Sequence, residues 1–181
     1  LEVVRASPFE VIDHARLLAG LAGSGALPQR SVLLTFDDGY RSTLTEAAPR
    51  LQEFGYPGVV FVPTDHIGSA NVWDQDNEPA EPLCGWEELA ELEALGVSVQ
   101  SHAVTHRTFG SLSPVEVGDE VCRSKDALEQ GLGRKVRSLA YPYGDAGSRE
   151  CTAALLAEAG YEAAFLYGGG GQCLPTAEPF A

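Results

Sequence analysis

The sequence predicts an α/β fold in which parallel strands carry helices on their outer side. Three observations lead there. Short β-rich runs alternate with amphipathic helical stretches along one chain of 181 residues, a length that fits a single domain with a core large enough to fold alone. No internal repeat or second domain interrupts the alternation. Finally, the residues with chemical potential cluster directly after strands, where parallel β/α architectures carry their functional loops.

The elements follow in order. Val32-Leu33-Leu34-Thr35-Phe36 is a compact apolar run that stops at Asp37-Asp38-Gly39. Thr43 and Glu46 have capping-box spacing, and Leu44, Ala47, Leu51 and Phe54 recur at helical intervals, with Pro49 as an interruption and Gly55 as a stop. Residues 58–62 (Gly-Val-Val-Phe-Val) form the next strand, ended by Pro63. Residues 64–82 make a loop long enough to read as functional. A short helix spans Trp86 to Leu95, a strand Val97 to Ser101. Ser113-Pro114-Val115-Glu116 is a helix start with cap, proline and reciprocal Glu, and Val117, Val121 and Leu128 give that helix its apolar stripe. A strand over 136–141, a helix over 148–160 and a strand over 161–167 complete the alternation, and Gly168 to Gly171 read as a flexible linker because no Lys-Ser/Thr follows them.

Composition narrows the function. Hydrophobic residues make up 44% and charged residues 21%, as in soluble globular proteins. The formal net charge of -14 disfavours nucleic acid and anionic membranes, whose phosphates require Lys and Arg. No apolar run approaches the roughly 20 residues of a membrane span. No leader precedes a cleavage site, but the chain opens at Leu1 and contains no Met, so compartment stays open. The four cysteines (84, 122, 151 and 173) form no Cys-x-x-Cys pair, which argues against a structural zinc site and for buried free thiols.

Asp37-Asp38 is a costly pair of like charges that either caps the following helix or faces a cation. His102 and His106, two of only four histidines, follow a strand at a spacing that can converge them on one point. Two His and one Asp supply the three protein ligands of a catalytic metal site, and the second Asp then stands where a general base belongs. His14, ahead of the first strand, reads as structural. Trp86 reads as packing on its helix. Trp73, in the long loop, is open between packing and stacking on a sugar ring.

Three segments carry a resemblance. Leu34-Thr35-Phe36-Asp37-Asp38-Gly39-Tyr40, Ser101-His102-Ala103-Val104-Thr105-His106 and Leu139-Ala140-Tyr141-Pro142-Tyr143-Gly144 resemble, in order and separation, the first three motifs of the polysaccharide deacetylases, also called NodB-homology domains or carbohydrate esterase family four. The resemblance covers about residues 30–167. It implies a distorted, incomplete β/α barrel over one catalytic domain, residues 1–181, with a late His-bearing motif that either lies beyond Ala181 or is replaced by another acid. It further implies removal of N-acetyl groups from an amino-sugar polymer or conjugate. Asp37 would be the base, Asp38, His102 and His106 the ligands of one divalent ion (zinc, or cobalt or nickel), and the Tyr143 backbone N–H an oxyanion donor. Two departures stand out. Ala140 occupies the place of an Arg that orients the base in many members, and no His follows His106 to act as acid, which leaves His66 as a candidate. Hydrolysis of a non-sugar amide and a non-catalytic glycan-binding domain with a vestigial site are the alternatives.

Overall fold

A computed structural model describes residues 1–74, 79–167 and 179–180. The glycine run Gly168 to Gly171 and Cys173 lie outside the described residues. The first elements are α1 (Glu2–Arg5), β1 (Glu10–Val11), α2 (His14–Leu21) and β2 (Ser31–Val32). Asp13 caps α2 by accepting from the Arg16 N–H at 2.7 Å. The strands β1 and β2 pair in parallel, Val11 opposite Val32. The apolar run 32–36 is therefore not one strand. Val32 pairs with β1, whereas β3 (Thr35–Phe36) pairs with the next strand of the main sheet, so the run changes partner at Leu33-Leu34.

The Thr43/Glu46 capping box does not form. Residues 43–47 instead make a wide π-type turn with no side-chain cap, leading into α3 (Ala48–Phe54). Pro49 then falls in the first turn of α3, where a missing N–H leaves no helical bond unmade, and the wide turn before it relieves the proline ring. The rest of the chain supplies β4 (Gly58–Val62), α4 (Trp86–Ala94), β5 (Val97–Ser101), α5 (Pro114–Leu132), β6 (Ser138–Ala140), α6 (Arg149–Glu158) and β7 (Ala163–Phe165). Ser113 and Glu116 form the expected capping box of α5. The last two strands are shorter than the sequence predicts. The loop after β4 contains two short helical turns, Thr64–His66 and Val72–Asp74.

The main sheet has five parallel strands in the order β3-β4-β5-β6-β7. Strand order equals chain order and never reverses. With right-handed crossovers every connection therefore passes on the same side of the sheet, which curls into an open half-barrel. Alternation along each strand divides the core. Val60, Val62, Val99 and Leu139 join the helix layer, whereas Val59, Phe61 and Ala140 face inward with Leu33 and Phe165. Phe61 and Phe165 meet there with ring centroids 5.0 Å apart. Below them, His14 Nε2 hydrogen-bonds Ser138 Oγ at 2.7 Å, and Gln100 Oε1 accepts from the Arg137 and Ser138 N–H groups. His14 is thus structural, as expected. Among the described residues no helix is long and apolar enough to cross a membrane.

Candidate active site

The C-terminal ends of β3, β5 and β6 bring the three motifs together. Among the described residues, four non-glycine residues have positive φ: Asp38 (69°), Ala103 (64°), His106 (60°) and Tyr143 (57°). All four lie in these motifs, and such backbone conformations persist only where the surroundings enforce them. At Asp38 the consequence is visible. Asp37 and Asp38 are neighbours, yet the left-handed turn aims a half-buried Asp38 at the histidines and leaves Asp37 exposed. Gly39 continues the turn at φ 73°, and a Cβ there would stand 3.1 Å from Val62 Cγ2.

Asp38 Oδ1 lies 3.0 Å from His106 Nε2 and 3.4 Å from His102 Nε2. Ligand atoms of these three residues all fall within 4.8 Å of one another. His102 Nδ1 sits 2.8 Å from the Ala140 carbonyl oxygen. A carbonyl only accepts, so Nδ1 carries the proton and Nε2 keeps its lone pair, the arrangement of a metal-binding histidine. Among the described residues, Asp38 Oδ1 and His106 Nδ1 are buried without a hydrogen-bond partner. A carboxylate oxygen and two imidazole nitrogens converging on one point repel unless a proton or a cation stands among them. The donor set therefore fits one divalent ion.

Electrostatics agrees with that arrangement. Burial would raise the Asp38 carboxyl, but the two imidazoles beside it hold it well below the usual carboxylate range. His106 is pushed down, chiefly by burial and against the pull of Asp38, so it favours the neutral form that binds metals. For Asp37 the packed protein around its carboxyl pushes the pKa up, helped by Asp38 and opposed by His102 and His106.

The loop that carries both histidines is bonded on each side. Ser101 Oγ accepts from the Ala103 N–H at 3.1 Å, and the buried Glu120 of α5 accepts from the Val104 and Thr105 N–H groups at 2.7 and 2.9 Å. On the other side the Ala103 and Val104 carbonyls accept from the Thr64 and Asp65 N–H groups. The motifs do not point to Glu120. Its signal was present: an acidic residue at 120 falls on the apolar stripe marked by Val117 and Val121.

Aromatic rings enclose His106. Trp73 stacks on it at 4.2 Å between centroids and 25° between planes, and Tyr143 meets it edge-on at 4.8 Å. Trp73 is thus part of the wall of the site. His66 is not among the converging groups. It touches the far partner of that stack, Trp73, at 4.8 Å, and its Nε2 approaches the Thr105 carbonyl at 3.4 Å. Tyr143 is 55% exposed, and the two bonds that build its turn, Gly144 N–H to Tyr141 O and Asp145 N–H to Pro142 O, leave the Tyr143 N–H out. Ala140 is buried in the inner core, and its carbonyl orients His102. Trp86 lies elsewhere, packed against Gly131 of α5 as expected of a packing residue. Of the described cysteines, all free, only Cys84 is buried; Cys122 is exposed and Cys151 half-buried, because α5 and α6 turn them away from the core, so the expectation of buried thiols fails for those two.

Comparison with known proteins agrees with the geometry. A family model described as polysaccharide deacetylase matches residues 24–164. The chain is 29% identical over 131 residues to poly-beta-1,6-N-acetyl-D-glucosamine N-deacetylase of Staphylococcus epidermidis, covering 66% of this chain and 43% of that protein. It spans about two fifths of the length of the curated relatives it matches. The structure of IcaB from Ammonifex degensii superposes with a TM-score of 0.78 at 26% identity, over 91% of this chain and 72% of that one. The BpsB deacetylase domain from Bordetella bronchiseptica shares the fold at a TM-score of 0.78 and 24% identity, over 93% of this chain and 76% of that one. The chain belongs to the polysaccharide deacetylase family.

Proposed function

We propose that this chain is a metal-dependent hydrolase that removes N-acetyl groups from an amino-sugar polymer or conjugate. The observation that carries the reading is the convergence of Asp38, His102 and His106 on one buried point that none of their own hydrogen bonds neutralises. These three residues would hold one divalent ion, zinc in the first instance. When bound, the ion acidifies water toward a pKa of about 7 and draws charge from an acyl oxygen.

The chain's own groups do the rest. Asp37, exposed beside the triad, accepts the proton of the attacking water. The Tyr143 N–H, outside the bonds of its own turn, donates to the oxygen that becomes negative when the acetamide carbon turns tetrahedral. The C–N bond then breaks, and the departing amine takes a proton, leaving acetate and a free amino sugar. Asp37 holds the proton that this step needs, so the cycle balances without a histidine after His106; His66 is the other acid within reach of the loop. The name of the Staphylococcus epidermidis relative makes β-1,6-linked N-acetylglucosamine oligomers the first substrate to try.

The test is acetate release from such oligomers, with N-acetylglucosamine and simple acetamides in parallel. Chelation should abolish release and zinc should restore it. Activity that survives chelation refutes the metal, and turnover confined to the simple amides refutes the glycan.

A further inference from the structure

We infer that Glu120 is the positioning residue of the metal-site loop, setting the geometry of His102 and His106 from α5. The inference rests on the ligand assignment proposed above. One buried carboxylate takes every donor that the middle of the loop offers. Its Oε2 accepts from the Val104 N–H at 2.7 Å and the Thr105 N–H at 2.9 Å, and its Oε1 accepts from the Thr105 hydroxyl at 2.5 Å. Glu120 itself is only 7% exposed. No Lys, Arg or His is bonded to it among these contacts, so three hydrogen bonds from the loop are what stabilise its charge.

The loop needs such an anchor. It runs over the five residues 102–106, two of which, Ala103 and His106, hold positive φ. Neither has glycine's freedom, so the loop would relax to ordinary dihedrals if its bonds were released. Relaxation at Val104-Thr105 would turn His106 away from Asp38. His102 is fixed separately, by the Val62 carbonyl on its N–H and by the Ala140 carbonyl on Nδ1. The effect of Glu120 therefore falls mainly on His106, whose ring rests on the Trp73 stack and, among the described residues, has no hydrogen bond at Nδ1.

A glutamine at 120 can keep the bonds: its amide oxygen accepts the two N–H groups, and its NH₂ donates to the Thr105 hydroxyl oxygen. An alanine loses all three. The measurement is titration with Zn²⁺ and, separately, the visible absorption of the Co²⁺-loaded protein at saturating cobalt. Glu120→Ala should lower zinc affinity by about 10–100-fold, the range for lost partners of metal ligands, and should shift the cobalt spectrum. Glu120→Gln should restore both to near the parent. Thr105→Val, which removes one of the three bonds, should fall between, and it decides the matter if Glu120→Ala does not fold. A purely structural Glu120 would lower the melting temperature and leave the saturated cobalt spectrum unchanged. Parent-like zinc affinity and spectrum in folded Glu120→Ala, or in Thr105→Val if that is the one that folds, overturn the inference. His106→Ala separates the two proposals. If it binds zinc like the parent, the ligand assignment fails; if it loses zinc while Glu120→Ala does not, only the role of Glu120 fails.

Discussion

Replacing Asp37 by Asn separates two adjacent carboxylates that sequence alone treats alike. The structure makes Asp37 exposed and Asp38 a half-buried neighbour of two histidines. An isosteric change at an exposed side chain shifts stability by no more than about 0.5 kcal/mol. The same change removes the proton acceptor. General-base catalysis contributes about 10²–10⁴-fold, which raises the barrier by about 2.7–5.4 kcal/mol at 1.36 kcal/mol per decade. Loss of activity should therefore exceed any loss of stability several times over. The assay is kcat on an N-acetylglucosamine oligomer at saturating zinc, with the melting temperature and zinc content of the same preparation. Asp37→Asn should bind zinc like the parent, melt like it and turn over at least 100-fold more slowly. A zinc-deficient Asp37→Asn beside a zinc-replete Asp38→Asn would reverse the two roles.

Two further predictions concern the scaffold. Burial, with the charges of Arg137 and Arg134 adding to it, pushes His14 down to about 4 from 6.5. A buried histidine kept neutral stabilises fully above the unfolded pKa, and that contribution disappears as pH falls from 6.5 to about 4. The loss amounts to about 3 kcal/mol; denaturant titrations at pH 7 and pH 4.5 should show most of it, and a His14→Gln variant with the same slope would contradict it. Phe61→Ala empties the inner face of the half-barrel, where the ring is 1% exposed and packs on Phe165. It should cost about 3–5 kcal/mol by denaturant midpoint, and a loss under about 1 kcal/mol would mean that the inner face is not packed as described.

Legibility in the sequence followed locality. The strand over 58–62 and the helix from Ser113 were readable to the residue, because an all-apolar run with a proline stop and a capping box with proline are complete local signals. The run 32–36 was not, because its division is set by β1, a two-residue strand with no periodicity of its own whose residues lie 21 positions upstream of their partners. Thr43 and Glu46 had the right spacing for a cap, but Thr43 is buried and the chain makes a wide turn there to admit Pro49. At the site, strand-end placement identified Asp38, His102, His106 and Tyr143 as candidates. It could not say which aspartate turns inward, since that depends on the positive φ of Asp38. Trp73 was ambiguous for the same kind of reason: its place against His106 comes from the path of a long loop. Glu120 was legible in principle as a charge on an apolar stripe, and its partners were not, because they lie on another element.

The most direct test of the central claim is calorimetric titration of zinc into the metal-free protein, the parent beside Asp38→Asn, His102→Ala and His106→Ala. The parent should bind one zinc per chain, and each variant should lose affinity steeply, because each removes one of three groups whose ligand atoms converge within 4.8 Å. A parent that binds no zinc, cobalt or nickel, or variants that all bind like the parent, would contradict the claim.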